Sequence, residues 1–199
     1  TSTDGDVTVL RLNNDETALA DGDGVSMMFG LGTDFRDAGK IGVFSSDSSH
    51  DQFNMRFSVR DASNAMVERM RIVGSSGNVG IGTTSPTGKL SIAGASGIGA
   101  NIYLDNHTAD ADSANIIIRK SRNATIGSHT IVQDNDDLGQ IMFQASDGNS
   151  YETAASILAE VDGTPGDGDT PGRLIFKTAA DGATGGSERM RIDNAGNIG

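Results

Sequence analysis

The phrase Glu68-Arg69-Met70-Arg71-Ile72, closed by Asn78-Val79-Gly80-Ile81-Gly82, returns as Glu188-Arg189-Met190-Arg191-Ile192, closed by Asn197-Ile198-Gly199. The first glutamates are 120 positions apart and the asparagines 119, so one residue is lost in the turn between Ile192 and Gly196. Outward from this phrase the correspondence continues. Met55-Arg56-Phe57 aligns with Leu174-Ile175-Phe176, Ile41 with Ile157, and Met27-Met28-Phe29 with Ile141-Met142-Phe143. Leu10-Arg11-Leu12-Asn13-Asn14 is similar to Ile102-Tyr103-Leu104-Asp105-Asn106. The offsets drift while the apolar phrases persist, the signature of a repeated unit with variable loops. Two tandem modules are expected, residues 1–94 and 95–199, the second carrying an insert around Ile116 to Thr130.

Within these phrases apolar and polar residues alternate with period two, which marks half-buried strands. Met55, Phe57 and Val59 oppose Arg56, Ser58 and Arg60, and Met70 and Ile72 oppose Arg69 and Arg71. Leu90/Ile92, Ile102/Leu104, Ile116/Ile118 and Leu174/Phe176 repeat the pattern. Turn-forming clusters separate them: Asp21-Gly22-Asp23-Gly24, Gly74-Ser75-Ser76-Gly77, Asp162-Gly163-Thr164-Pro165-Gly166 and Asp181-Gly182. The Ala-rich run Glu152 to Glu160 matches the strand around Ile41 and reads as a strand. The fold class is all-β.

Composition limits what one chain can bury. Aromatic residues are 5% of the 199, tryptophan is absent, and the 27 glycines are about twice the usual share. The missing apolar area is most simply supplied by identical chains sharing one interior, so an obligate oligomer is expected. Gly80 and Gly82 alternate with Val79 and Ile81, and a backbone crowded at a symmetry axis would account for them. The net charge of −12 disfavours nucleic acid and anionic membrane surfaces, and neither is expected as a partner; no apolar run is long enough to insert as a helix. Without cysteine there is no disulfide or thiolate chemistry. The start at Thr1 and a second copy that stops mid-phrase are expected of a segment of a longer polypeptide.

The candidate chemistry is sparse. Asp21 and Asp23, and Asp134, Asp136 and Asp137 with Asn135, offer oxygen ligands but fit neither the twelve-residue calcium loop nor the nonapeptide repeat, so no metal is assigned. Glu152, Glu160 and Asp162 are the carboxylates available for glycoside hydrolysis, with no spacing that places a pair. His50, His107 and His129 are isolated turn or surface residues. The recurring Arg69, Arg71, Arg189 and Arg191 are expected to bridge to carboxylates of a neighbouring chain, or, on the sharper alternative, to hold an anion. The seven methionines read as core filler. No catalytic, cofactor-binding or metal residue is assigned, and receptor-binding residues are unknown.

The stretch Ile116 to Gly199, through IIIRKSRNATIGSHTIVQDNDDLGQIMFQASDG, AASILAEVDGTPGDGDTPGRLIFKTAADG and ERMRIDNAGNIG, resembles a module of bacteriophage tail fibres and related prophage appendages. The first copy, ending ERMRIVGSSGNVGIGTTSPTGKL, is a looser version. The resemblance implies an elongated homotrimeric fibre of intertwined short strands, of triangular β-helix or β-prism type. It implies a place in the virion's extracellular host-attachment apparatus, alongside other tail or fibre proteins. Such fibres often end in a self-cleaving chaperone domain, and no stretch here resembles one. The expected role is to space and present receptor-binding surfaces, with exposed loops contacting host glycans, without enzymatic activity or cofactor. The alternatives are a polysaccharide-degrading tailspike, a calcium-stiffened adhesin and a single-chain β-solenoid.

Overall fold

The structure, a computed structural model, describes residues 24–31, 36–45, 52–94 and 99–199. These residues form ten strands and no helix: β1 (Gly24–Leu31), β2 (Arg36–Ser45), β3 (Phe53–Arg60), β4 (Met66–Val73), β5 (Val79–Ile81), β6 (Leu90–Ile92), β7 (Asp137–Ser146), β8 (Tyr151–Val161), β9 (Gly172–Thr178) and β10 (Ser187–Ile192). The chain divides into two compact units, Thr1–Tyr103 and Leu104–Gly199.

In the first unit β1 to β6 lie side by side in sequence order. All neighbours are antiparallel except β5 and β6, which are parallel. Pairing aligns Met27, Ile41, Phe57, Met70, Ile81 and Ile92 in one row across all six strands. Val25, Val43, Met55, Ile72, Val79 and Leu90 form the next row on the same face. The other face carries Ser26, Gly42, Arg56, Arg71, Gly80 and Ser91. These rows make one face apolar; the other is mainly polar but also carries Met28 and the buried Phe44.

The second unit's sheet has the order β10-β9-β8-β7, all antiparallel. Ile141, Ile157, Phe176 and Met190 make one apolar row, and Ala159, Leu174 and Ile192 continue that face. The residues that align in sequence occupy equivalent register positions: Ile41 faces Phe57 as Ile157 faces Phe176, and Met27 faces Ile41 as Ile141 faces Ile157. The turn after each repeated phrase is also built alike. Val73 N–H donates to Asn78 O at 2.9 Å and Asp193 N–H to Asn197 O at 3.0 Å. Gly77 and Gly196, at φ +65° and +83°, supply the left-handed residue each turn needs.

The glycines Gly80 and Gly82 are crowded by the chain itself, which replaces the expectation of a symmetry axis. A Cβ on Gly80 would lie 2.5 Å from Thr83 O, and one on Gly82 would lie 2.2 Å from Ala93 O. The cause is the short link from β5 to the parallel β6. Gly82 (φ +72°) turns the chain, and Ala93 N–H then bonds Ile81 O at 2.9 Å. Parallel neighbours ordinarily need a connection of about a dozen residues or more.

Two alternating stretches do not become strands. Ile102/Leu104 and Ile116/Ile118 belong to no strand and pair with nothing among the described residues. From Leu104 to Ser121 no backbone group bonds another backbone group among the described residues. Alternation specifies the conformation; a ladder also needs a partner, and this chain does not provide one there. Ile118 touches the second sheet, where a Cβ on Gly139 would lie 2.3 Å from its Cγ2.

Candidate functional site

The repeated arginines are organised by a β-bulge. The β3–β4 register shifts between Phe57 and Ser58, leaving Arg69 without a cross-strand partner. In a regular strand, residues three apart point to opposite faces. The extra residue brings Glu68 and Arg71 to the same face, where Arg71 Nε and Nη2 donate to Glu68 Oε1 and Oε2 at 2.6 and 2.9 Å. Arg71 stands directly opposite Arg56, a like-charge pair that would be unfavourable alone. Glu68 Oε2, 3.7 Å from Arg56 Nε, offsets both cations. Arg56 and Lys40 also lie over the Phe44 ring, at 4.9 and 4.4 Å from its centre.

The second copy repeats the device. The register shifts between Glu188 and Met190, and Arg191 donates to both Glu188 oxygens at 2.6 and 2.8 Å. The Arg191 guanidinium holds the Glu188 carboxyl below the usual carboxylate range. Arg71 and Arg191 are thus engaged within their own chain, which corrects the expectation of a bridge to a neighbour or an anion site there. Arg189 Nε donates to Thr178 Oγ1 at 2.9 Å, and Arg69 is exposed.

A second node ties the end of the second sheet to its loops. Arg173 Nε donates to Glu160 Oε2 at 2.7 Å, Nη1 to Asp162 Oδ1 at 3.1 Å and Nη2 to Asn135 Oδ1 at 2.7 Å. Asp162 Oδ2 accepts from Asn194 N–H at 2.9 Å, and that bond together with Arg173 lowers its pKa. Glu160 and Asp162 therefore share one guanidinium. Glu152 lies on the same strand as Glu160 but eight residues away, roughly 26 Å at 3.3 Å per residue. The carboxylates of glycosidases stand about 5–10 Å apart, so the structure does not bring Glu152 and Glu160 together. Glu152 and Asp147 both line a shallow cavity of about 230 Å³, where Glu152 accepts from Ser150 Oγ at 2.9 Å. Asp147 closes its hairpin by accepting from Ser150 and Asn149 N–H, each at 2.7 Å, and these bonds lower its pKa.

The acidic cluster before β7 is a set of turn and loop anchors. Asp134 Oδ1 accepts from Gly163 N–H at 2.8 Å, and Asp136 takes Arg122 in a two-point contact at 2.6 and 2.7 Å. The Arg122 contact, with a bond from Gln133 N–H, drives the Asp136 pKa far below its ordinary value. No group of three or more His, Asp or Glu side chains is placed to hold a metal among the described residues. Asp21, Asp23 and His50 lie outside the described residues. His107 is exposed, and His129 lines a pocket that sequence reasoning did not single out.

That pocket, of about 490 Å³, is lined by Arg119, Lys120, Ser121, Gly127, Ser128 and His129. Its frame is a loop closed on Ser121. Ser121 Oγ donates to Ser128 O at 3.2 Å and accepts from Thr130 N–H at 3.0 Å, while Arg122 N–H bonds Thr130 O at 3.2 Å. Gly127 (φ +86°) makes the reversal. Arg122, held by Asp136, anchors the base to the start of β7. Arg119 and Lys120 form no ion pair or hydrogen bond among the described residues. The signal was present in the sequence: Arg119-Lys120-Ser121-Arg122 puts three cations in four positions of an acidic chain.

No family model matches the chain, and no curated protein matches it. Solved structures do. The structure of the carboxy-terminal domain of the bacteriophage T5 L-shaped tail fibre superposes with TM-score 0.73 at 14% identity, over 100% of this chain and 87% of that one. The same domain with its intramolecular chaperone domain gives TM-score 0.76 at 13% identity, over 100% of this chain and 60% of that one. The fold is similar to that of a phage tail-fibre domain. At this identity the likeness concerns backbone architecture.

Proposed function

We propose that this chain is a structural segment of a phage tail fibre, a homotrimer of two tandem modules that spaces and presents host-receptor-binding surfaces. The observation that carries this reading is the uncovered apolar face of each sheet. Met27, Ile41 and Ile81 are 40–41% exposed along one row, and Ile141 and Phe143, on the corresponding face of the second unit, are 50% and 53% exposed. Monomeric proteins rarely leave contiguous apolar faces of this extent in water. Identical faces turned to a shared symmetry axis would cover them.

Further support comes from Leu104 to Ile118, whose backbone groups lack backbone partners among the described residues and whose Ile116 and Ile117 are 77% and 66% exposed. Backbone polar groups without partners are costly once water is excluded. Pairing with a neighbouring chain satisfies them and gives the intertwining its physical basis. The shared registers, bulges and turns support two modules of one design. Attachment then works by multivalency, several weak contacts held at high effective concentration, and no residue performs covalent chemistry.

Sedimentation equilibrium tests the assembly. A mass three times that of the chain, unchanged over a hundredfold dilution, is expected. A compact monomer that melts cooperatively at every concentration refutes it. The attachment role is tested by adding purified protein to host cells before phage, where a drop in adsorption is expected and unchanged adsorption counts against it.

A further inference from the structure

We infer that the pocket at Arg119, Lys120, Ser128 and His129 is a binding site for an anionic saccharide, one bearing phosphate or carboxylate groups. This inference rests on the fibre reading for its biological setting but on the pocket for its chemistry. The volume of about 490 Å³ falls within the range of small-ligand sites, about 300–1,000 Å³.

The lining is rich in donors and poor in acceptors. Arg119 and Lys120 bring a guanidinium and an ammonium, neither matched by a protein carboxylate among the described residues. The chain has 27 acidic and 15 basic residues, and the carboxylate that feels the Lys120 charge, Asp136, is already taken by Arg122 in a two-point contact. Arg56, Arg71, Arg122, Arg173 and Arg191 all have carboxylate partners. Ser121 is already committed as donor and acceptor within the loop, whereas the Ser128 hydroxyl makes no hydrogen bond among the described residues. A tetrahedral phosphate or planar carboxylate suits Arg119, whose guanidinium can donate two parallel bonds, with Lys120 as a point charge.

The frame is ordered independently of any ligand. Ser121, Asn123, Thr125, Ser128 and Thr130 close the loop by mutual hydrogen bonds, and Arg122–Asp136 fixes its base. The cations thus project from a preformed turn, which reduces the ordering cost of binding. No Phe, Tyr or Trp lines the pocket, and His129 is its one ring, so recognition is chiefly ionic. Each site is then weak and salt-sensitive, and repeated copies on one fibre raise the avidity. The residues fall in the stretch around Ile116 to Thr130 that the sequence alignment reads as an insert of the second module, a usual place for a binding loop.

The test uses the full chain and biolayer interferometry on immobilised polysaccharides: a phosphomannan, polygalacturonate, and neutral mannan and dextran. Binding to the phosphomannan, the polygalacturonate or both, at least tenfold tighter than to the neutral polymers and at least tenfold weaker in 0.5 M than in 0.05 M NaCl, is expected. Which of the two binds distinguishes phosphate from carboxylate. The R119Q/K120Q variant is expected to lose at least tenfold of this binding while K177Q loses less than twofold, both keeping the wild-type sedimentation mass and melting temperature. Equal binding to charged and neutral polymers, no binding to any, or an unchanged double variant overturns the inference. A double variant that drops to monomer also overturns it, because the two cations would then face a neighbouring chain. A monomeric wild type that still binds anionic polymers removes the fibre reading and leaves the pocket standing.

Discussion

Gly77 and Gly82 offer a matched pair for separating backbone conformation from backbone crowding. Both adopt positive φ, +65° and +72°. A Cβ on Gly77 would meet only Lys89 Nζ, at 3.8 Å, whereas one on Gly82 would lie 2.2 Å from the carbonyl oxygen of Ala93. Placing alanine in the left-handed region costs about 1–2 kcal/mol, reduced by roughly 0.4–1 kcal/mol through the less flexible unfolded chain. Gly77→Ala is therefore expected to destabilise by up to about 1.5 kcal/mol. Gly82→Ala has the same conformational cost plus overpacking of about 1–3 kcal/mol, because its obstacle is main chain that also carries the Ala93 N–H to Ile81 O bond. A loss of about 2–4 kcal/mol is expected by urea denaturation at one fixed protein concentration. Amide exchange should locate it, with faster exchange at Val79 and Ala93 while the β2–β3 amides keep their protection. Two variants within about 0.5 kcal/mol of each other would refute the crowding argument. A Gly82 variant that loses oligomer mass without faster exchange at Ala93 would restore the symmetry-axis explanation.

Phe176→Asp puts a charge in the middle of the apolar row of the second sheet, so the assembled mass should fall toward that of one chain; an unchanged mass excludes this face from the interface. Asp61, Asp147, Asp162 and Asp193 all have folded pKa values lowered below the ordinary 3.8, each by hydrogen bonds to its carboxylate. Their stabilisation is complete above that ordinary value and is lost as pH falls through the lower folded values. The melting temperature should therefore stay level from pH 7 to about 5 and decline below about 4, and a midpoint that fell between pH 7 and 5 would contradict this. Asp162→Asn should flatten the acid decline and loosen Asn194, visible as faster exchange of its amide. Glu152→Gln and Glu160→Gln are expected to leave no polysaccharide cleavage to lose, and release of oligosaccharides by the wild type would reverse the structural reading.

Much of the sheet architecture is legible in the sequence because alternation and turn chemistry are local. The alignment of Met55-Arg56-Phe57 with Leu174-Ile175-Phe176 correctly anticipates equivalent ladder positions, facing Ile72-Arg71-Met70 and Ile192-Arg191-Met190. The run from Glu152 to Glu160 becomes part of β8 despite its alanines, since its register is set by β7 and β9. The bulge left only a faint local trace: Glu68 shares the parity of Met70 and Ile72, which in a regular strand would put a carboxylate in the apolar row. The unpaired stretches at Ile102 and Ile116 failed for another reason, because periodicity does not name a partner. The Arg173 node links residues 38 positions apart through Asn135, a distance at which sequence spacing carries no information. Gly80 and Gly82 were correctly read as sites of close approach, though the approaching backbone proved to be local.

The bulge also explains why the phrase repeats as a unit. A strand that alternated strictly through Glu68-Arg69-Met70-Arg71 would put Glu68 on the face of Met70, placing a carboxylate in the apolar row. The extra residue at Arg69 removes that conflict, keeping Met70 opposite Phe57 and moving Glu68 beside Arg71. The same logic holds for Glu188, Arg189, Met190 and Arg191 opposite Phe176. Deleting Arg189 therefore does more than shorten a strand: it forces either Glu188 onto the apolar face or Met190 off it. Carboxylate burial without a partner is costly, and a slipped register turns every later side chain over. The deletion should abolish assembly, whereas Arg189→Ala, which keeps the residue count, should preserve it. If both variants assemble equally well, the phrase is held by its charges and the bulge is incidental.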